Sequence, residues 1–293
     1  MAGKQADKKV SYIITKGRWV TPHIIGINGK KGAIVGRYNK KINSKIEKYF
    51  YKKKSELKKE GKIEPKQCPR IVRCIYSKNS AIFLDRGGNF LDYIAAYEVI
   101  KKLRQEGDKY FAEARMNLKK VMEIPHAVGV SVLTETNDKY VLFVQRSKKV
   151  LSYPNTIHYV AGYIESGIEP YKSALKEIKE EIGVCKKDVS FVGDGMRTLT
   201  DEETPAALTT FYDKRRIQLG FFYVARINLS KREVQKKMKN AKDLWESKKA
   251  FFVPRSSKSI GKFIKDKEKE GVQVAMPPLL ELYLEELEKR EKN

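Results

Sequence analysis

Residues 175–184 read LKEIKEEIGV and gather Glu177, Glu180 and Glu181 in an otherwise lysine-rich chain. On a helix, positions i, i+3 and i+4 share a face, so these carboxylates would project together. Leu175, Ile178 and Ile182 recur on the opposite face at core-facing spacing. Pro170 suits a first helical turn and Gly183 a C-terminal cap, which predicts one short amphipathic helix over roughly 170–182. Three carboxylates on one face repel unless a cation sits among them. They are either a solvated face paired with Lys176 and Lys179, or oxygen ligands for a hard divalent cation.

Elements on both sides must hold that helix. AVGVSVLTE and KYVLFVQRS flank the turn TND and read as a β-hairpin starting near Pro125. NTIHYVAGYIESG follows as a strand and a glycine-containing loop that leads into the helix. VSFVGDG, RIQLGFFYVARI and KAFFVP supply further strands, and LLELYLEELEKREK a last helix after Met-Pro-Pro. Upstream, SYIIT, PHIIGI, RIVRCIY and AIFLD read as short strands. Residues 38–60 read as a basic amphipathic helix with Ile42, Ile46, Tyr49, Phe50 and Leu57 on its apolar side. Residues 91–105 and 110–123 read as two more helices, and GINGKKGAIVG as a turn whose glycines lack the dinucleotide-binding spacing. Mixed strands and helices argue for α/β or α+β layers.

Composition bounds the partners. The chain has 293 residues, 41% of them hydrophobic, enough for a core and for two modest domains. The net charge of +25 is uneven: residues 1–120 carry +19 and residues 121–293 carry +6. The expected organisation is a basic α+β N-terminal domain at 1–120 and a second domain at 121–293. A block this basic attracts polyanions, and nucleic acid is one such partner. No apolar run approaches the ~18 residues of a membrane span. The N-terminus lacks the apolar stretch of a signal peptide, and Cys68, Cys74 and Cys185 form neither a paired framework nor a CxxC. A cytoplasmic, reducing setting without zinc is expected; the oligomeric state stays open, a homodimer among the options.

Residues 162–184, GYIESGIEPYKSALKEIKEEIGV, resemble the Nudix box: G, five residues, E, seven residues, then R-E-U-x-E-E-x-G-U with U aliphatic. Gly162, Glu177, Ile178, Glu180, Glu181, Gly183 and Val184 match at the family spacing. Ile168 stands where the first Glu is usual, Lys176 where Arg is usual, and Ala161 where a glycine is frequent. The resemblance covers about 125–270 and implies a Nudix-type α/β/α sandwich acting as a pyrophosphohydrolase on a nucleotide-type small-molecule substrate. It further implies Mg²⁺ or Mn²⁺ held by Glu177, Glu180, Glu181 and the carbonyl of Ala161. A late carboxylate, Glu246, is expected among the catalytic groups, with Asp201, Glu202 and Glu203 as alternatives, and Arg146 on a substrate phosphate. His158 is a packing residue or a base contact. The two departures fall where the family uses an ion pair to fix loop against helix; Glu169, one position late, is a candidate replacement.

Overall fold

The computed structural model describes residues 12–16, 19–26, 40–60, 67–85, 87–107, 126–150, 153–275 and 277–292. The first half contains β1 (Tyr12–Lys16), β2 (Thr21–Gly26), α1 (Lys40–Glu60), β3 (Gln67–Cys68), β4 (Ile71–Tyr76), β5 (Ser80–Asp85), β6 (Gly88–Asn89) and α2 (Phe90–Gln105). The helix expected at 110–123 and the turn expected beyond Gly26 lie outside the described residues. The second half runs β7 (Ala127–Thr136), β8 (Tyr140–Arg146), β9 (Ile157–His158), β10 (Val160–Tyr163) and α3 (Pro170–Ile182). It continues with β11 (Val189–Phe191), β12 (Thr209–Asp213), β13 (Gln218–Ile227), α4 (Lys231–Met238), β14 (Ser247–Pro254), α5 (Ser257–Lys269) and α6 (Pro277–Lys292).

One mixed sheet, ordered β1-β12-β13-β7-β8-β14, dominates. At its centre β7 pairs in parallel with β13 from Gln218 opposite Ala127 to Ile227 opposite Thr136. Every residue of β7 is buried, as expected for a strand covered on both faces. Its other edge is divided. Gly129–Val132 pair with β10, whereas Thr134 and Glu135 pair with β8. The edge therefore forks beside Ala161, next to the N-terminal end of the box.

Helices close both faces, giving the expected Nudix-type sandwich. On one face Ile178 and Ile182 of α3 meet Val130, Val132, Phe221 and Tyr223. On the other, Ile260 of α5 and Leu279, Tyr283 and Leu287 of α6 meet Phe143, Tyr159 and Phe222. Burial of these apolar side chains supplies about 1.5–3 kcal/mol each, the main force holding α3 against the sheet.

Apolar packing does not divide at residue 120. β1 joins the large sheet by pairing with β12. The Phe83 ring of the three-stranded β2-β5-β4 sheet meets Phe221 edge-on at 5.0 Å. Phe50 and Leu57 of α1 and Leu91, Val99 and Leu103 of α2 share a cluster with Ala127, Tyr212 and Ile217.

Candidate active site

Helix α3 begins with proline at its first positions and ends at Gly183, whose φ of 71° is left-handed, a conformation that glycine adopts without the Cβ penalty. The solvated face expected as one alternative is not what forms. Glu181 is 3% exposed, and Glu177 and Glu180 are half-buried. The ion pairs also differ from that expectation: Lys176 bonds Glu165, and Glu180 is met by Lys242 from the far loop at 2.6 Å.

Gly162 explains the glycine of the box. A Cβ there would collide with the Glu177 carboxylate, so any larger residue would displace that carboxylate from its place beside β10. The preceding Ala161 donates its N–H to Glu181 Oε1 at 3.1 Å. Lys176 reaches back to the loop carboxylate Glu165. Loop and helix are therefore tied by an ion pair, built from Glu165 and not from Glu169, which instead pairs with Lys172 at 2.9 Å. Ile168 is 39% exposed and takes no part.

The carboxylates are electrostatically loaded. Burial pushes Glu181 up to about 8, against the pull of Arg146, with Glu177 and Glu246 adding to the rise. Burial and then Glu180 push Glu177 up to about 7, against the pull of Lys176. Glu177 makes no hydrogen bond with a described residue. Such shifts mark groups whose charge the protein alone does not compensate.

Arg146 and Glu246 come together, bonded to each other at 2.9 Å. Arg146 is 8% exposed, and its Nε is buried without a partner among the described residues. Burial raises Glu246 while Arg146 lowers it. Buried His158 turns Nδ1 to the Tyr159 carbonyl at 2.7 Å. Burial, reinforced by Arg146, pushes it down to about 3, so the ring is neutral.

These groups line one cavity of about 490 Å³, with Arg146, His158 and Ala161 beside Glu165, Glu177, Glu180 and Glu246. Asp201, Glu202 and Glu203 line a different cavity of about 140 Å³, and Glu203 is occupied by Arg197 and Thr200. Sequence reasoning missed Asp243, Trp245, Gln218, Phe90, Gln67 and Cys68, all of which line the main cavity. Asp243 and Trp245 stand in the same segment as Glu246; the others had no signal beyond their type, because only the fold brings them here.

The donor set fits a hard cation in chemistry: three carboxylates and one backbone carbonyl, with burial raising two of those carboxylates, Glu177 and Glu181. The side chains do not converge on one point among the described residues. Glu180 is turned to Lys242 and Glu181 to Ala161.

The NUDIX domain family matches residues 125–267. A 64-residue stretch is 36% identical to the m7GpppN-mRNA hydrolase NUDT17 of Xenopus laevis, covering 22% of each chain. Among solved structures, a mutT/nudix family protein from Listeria innocua is 15% identical, covering 57% of this chain and 96% of its own, at TM-score 0.37. An Ap4A hydrolase from C. elegans is 16% identical, covering 54% of this chain and 96% of its own, at TM-score 0.32. Residues 125–267, with their box on α3, are a NUDIX domain. Among the described residues, no helix is long and apolar enough to cross a membrane.

Proposed function

We propose that the protein is a Mg²⁺- or Mn²⁺-dependent pyrophosphohydrolase acting on a nucleoside diphosphate linked to another moiety, such as a sugar nucleotide or dinucleotide. The carrying observation is the pair of box glutamates one helical turn apart, half-buried Glu177 lining a large cavity and Glu181 buried next to it, both held above the usual carboxylate range chiefly by burial. Glu177, Glu180, Glu181 and the Ala161 carbonyl would hold the cation. Bound there, it supplies charge neutralisation of the diphosphate and a lowered pKa for attacking water.

The remaining steps belong to the chain's own groups. Arg146, held in place by Glu246, presents donors to a substrate phosphate. Glu246 accepts the proton of the attacking water, its pKa raised toward the working range by burial. Lys176, fixed by Glu165, keeps the loop and the carboxylate helix in register. Cys68, Cys74 and Cys185 form no disulfide, which fits a cytoplasmic setting.

A second reading, 5′-end processing of RNA, is favoured by two observations: the +19 charge of residues 1–120 and the mRNA cap hydrolase among the relatives. In that reading the basic block recruits the nucleic acid and the same carboxylates cleave it. The deciding assay is Mg²⁺-dependent release of phosphate or nucleotide from nucleotide sugars, dinucleoside polyphosphates, dNTPs and capped RNA. Hydrolysis of at least one of them, lost in Glu181→Gln, is expected. Folded, metal-binding protein inert on the whole panel would leave a binding module in place of an enzyme.

A further inference from the structure

Helix α1 buries one side and leaves a basic stripe on the other. Phe50 and Leu57 enter a core cluster with Leu91, Val99 and Leu103 of α2. Lys54 pairs with Asp92 at 2.5 Å, and the Lys102 ammonium sits 4.2 Å over the Tyr49 ring. These contacts set the two helices antiparallel. The opposite face of α1 carries Lys48, Tyr51, Lys52, Ser55, Lys58 and Lys59, at the spacing of one helical face, and all six are exposed. None of its four lysines makes an ion pair with a described residue, whereas Lys53, beside the stripe, is met by Glu56 at 3.5 Å.

Two further features point to the ligand. Tyr51, among these ammonium groups, is 55% exposed, and its ring meets buried Phe50 edge-on at 5.4 Å, which sets its direction. The antiparallel pairing also carries the C-terminal end of α1, with Lys58 and Lys59, to the end of α2 at which Phe90 lines the main cavity. At ~1.5 Å per residue the stripe runs about 16 Å. That is long enough to follow several phosphates of one strand.

Four uncompensated ammonium groups and one exposed ring match an unpaired polynucleotide. The charges follow its phosphates, and the ring takes a base that no partner strand holds. We propose that this face of α1 binds single-stranded nucleic acid and leads its end to the main cavity. A duplex meets the charges but offers the ring no open base, and an anionic lipid surface offers no base at all. The cleavage that this track feeds rests on the RNA reading above; binding at α1 does not.

The test follows the anisotropy of a fluorescein-labelled single-stranded RNA on the full chain as salt is raised. Lys52→Glu with Lys59→Glu should weaken binding about tenfold or more at low salt. It should also lower the slope of log K against log salt by about 1–2, since each lost phosphate contact removes about 0.7. Tyr51→Ala should weaken binding about tenfold with the slope unchanged, Tyr51→Phe should retain it, and neither should alter binding of the duplex. Lys236→Glu with Lys239→Glu makes the same change of charge at exposed positions on α4, and should cost less than about threefold. Equal losses from α4 and α1, or tighter binding to phosphatidylserine vesicles than to the RNA, would overturn the proposal, as would parental binding in Tyr51→Ala. On capped RNA the α1 double variant should raise KM, with turnover of ADP-ribose unchanged; cleavage at an unchanged KM would overturn the link between track and cavity. Capped RNA bound through α1 but left uncleaved would sink the RNA reading and leave the binding track standing.

Discussion

Two buried glutamates near the central strands of one sheet have opposite surroundings. Glu135, on β7, is fully buried and completely answered: Arg226 Nε stands at 3.2 Å, Arg255 at 2.6 Å and the Tyr283 hydroxyl at 2.8 Å. Glu181, on α3, is almost as buried but accepts one described hydrogen bond, from the Ala161 backbone. Its nearest charged neighbours are Glu177, Glu246 and Arg146, and Arg146 is already bonded to Glu246. A fold that supplies three donors to Glu135 could have supplied them to Glu181. Their lack at Glu181 is what a binding site for an external cation requires, whereas Glu135 ties α6 and the loop after β14 to the sheet.

The comparison breaks first under neutralising substitutions. Glu181→Gln and Glu180→Gln should lower hydrolysis by roughly a thousandfold, since bound metal supplies several kcal/mol of transition-state stabilisation. The same Glu181→Gln should leave the denaturation midpoint at pH 7 nearly unchanged, because the buried carboxyl it replaces, raised to about 8, is already mostly protonated there. Glu135→Ala should behave in the reverse sense, destabilising by about 3–5 kcal/mol because it strands Arg226 and Arg255. Urea titration separates the two. A Glu181→Gln protein as unstable as Glu135→Ala would make both centres structural.

Proton linkage sharpens the contrast at intermediate effect. The folded-state values of Glu177 and Glu181, about 7 and about 8, lie above the usual carboxylate range. The folded state therefore binds more protons than the unfolded chain between roughly pH 4.5 and 8. The stability these groups contribute is fully present below their unfolded pKa and is lost as pH rises through about 7 to 8. Metal-free protein should melt at progressively lower temperature from about pH 5 to 8 and level off above that. Mg²⁺ should reverse that slope, because the cation binds the ionised carboxylates and displaces protons. Glu181→Gln should flatten it. A metal-free slope of the opposite sign would contradict the assigned environment.

The box and its helix were legible in the sequence because both are local: the spacing of the glutamates, Pro170 and Gly183 is read within 23 residues. The strands were legible for the same reason, down to the hairpin of β7 and β8. The long-range placements were not. Nothing in the spacing of Glu165 and Lys176 distinguishes it from Glu169 and Lys172, and only the loop path makes the first pair bridge loop to helix. The charge drop after residue 120 was real, yet packing crosses it, because surface charge carries no information about which apolar faces meet. Trp245 and Phe90 came to one cavity from segments far apart in the chain, a meeting that no local pattern encodes.

The smallest expected effect concerns the two departures from the family pattern. Ile168→Glu with Lys176→Arg restores the family residues, and a site disabled by their loss should gain activity sharply. The geometry argues otherwise. Lys176 already holds Glu165, so the strap between loop and helix is intact with different members. Ile168 is exposed, next to a left-handed Gly167 in open space, so a glutamate there enters solvent and gains little from an exposed ion pair, about 0–1 kcal/mol. The double variant should therefore change kcat/KM by less than about fivefold. Breaking the strap that exists, by Glu165→Gln, should cost more than restoring the one that does not, because the loop then loses its only described anchor to Lys176. Steady-state kinetics on the two variants gives the order directly, and a large gain in the restored variant would mean that the Glu165–Lys176 pair holds the loop in the wrong place.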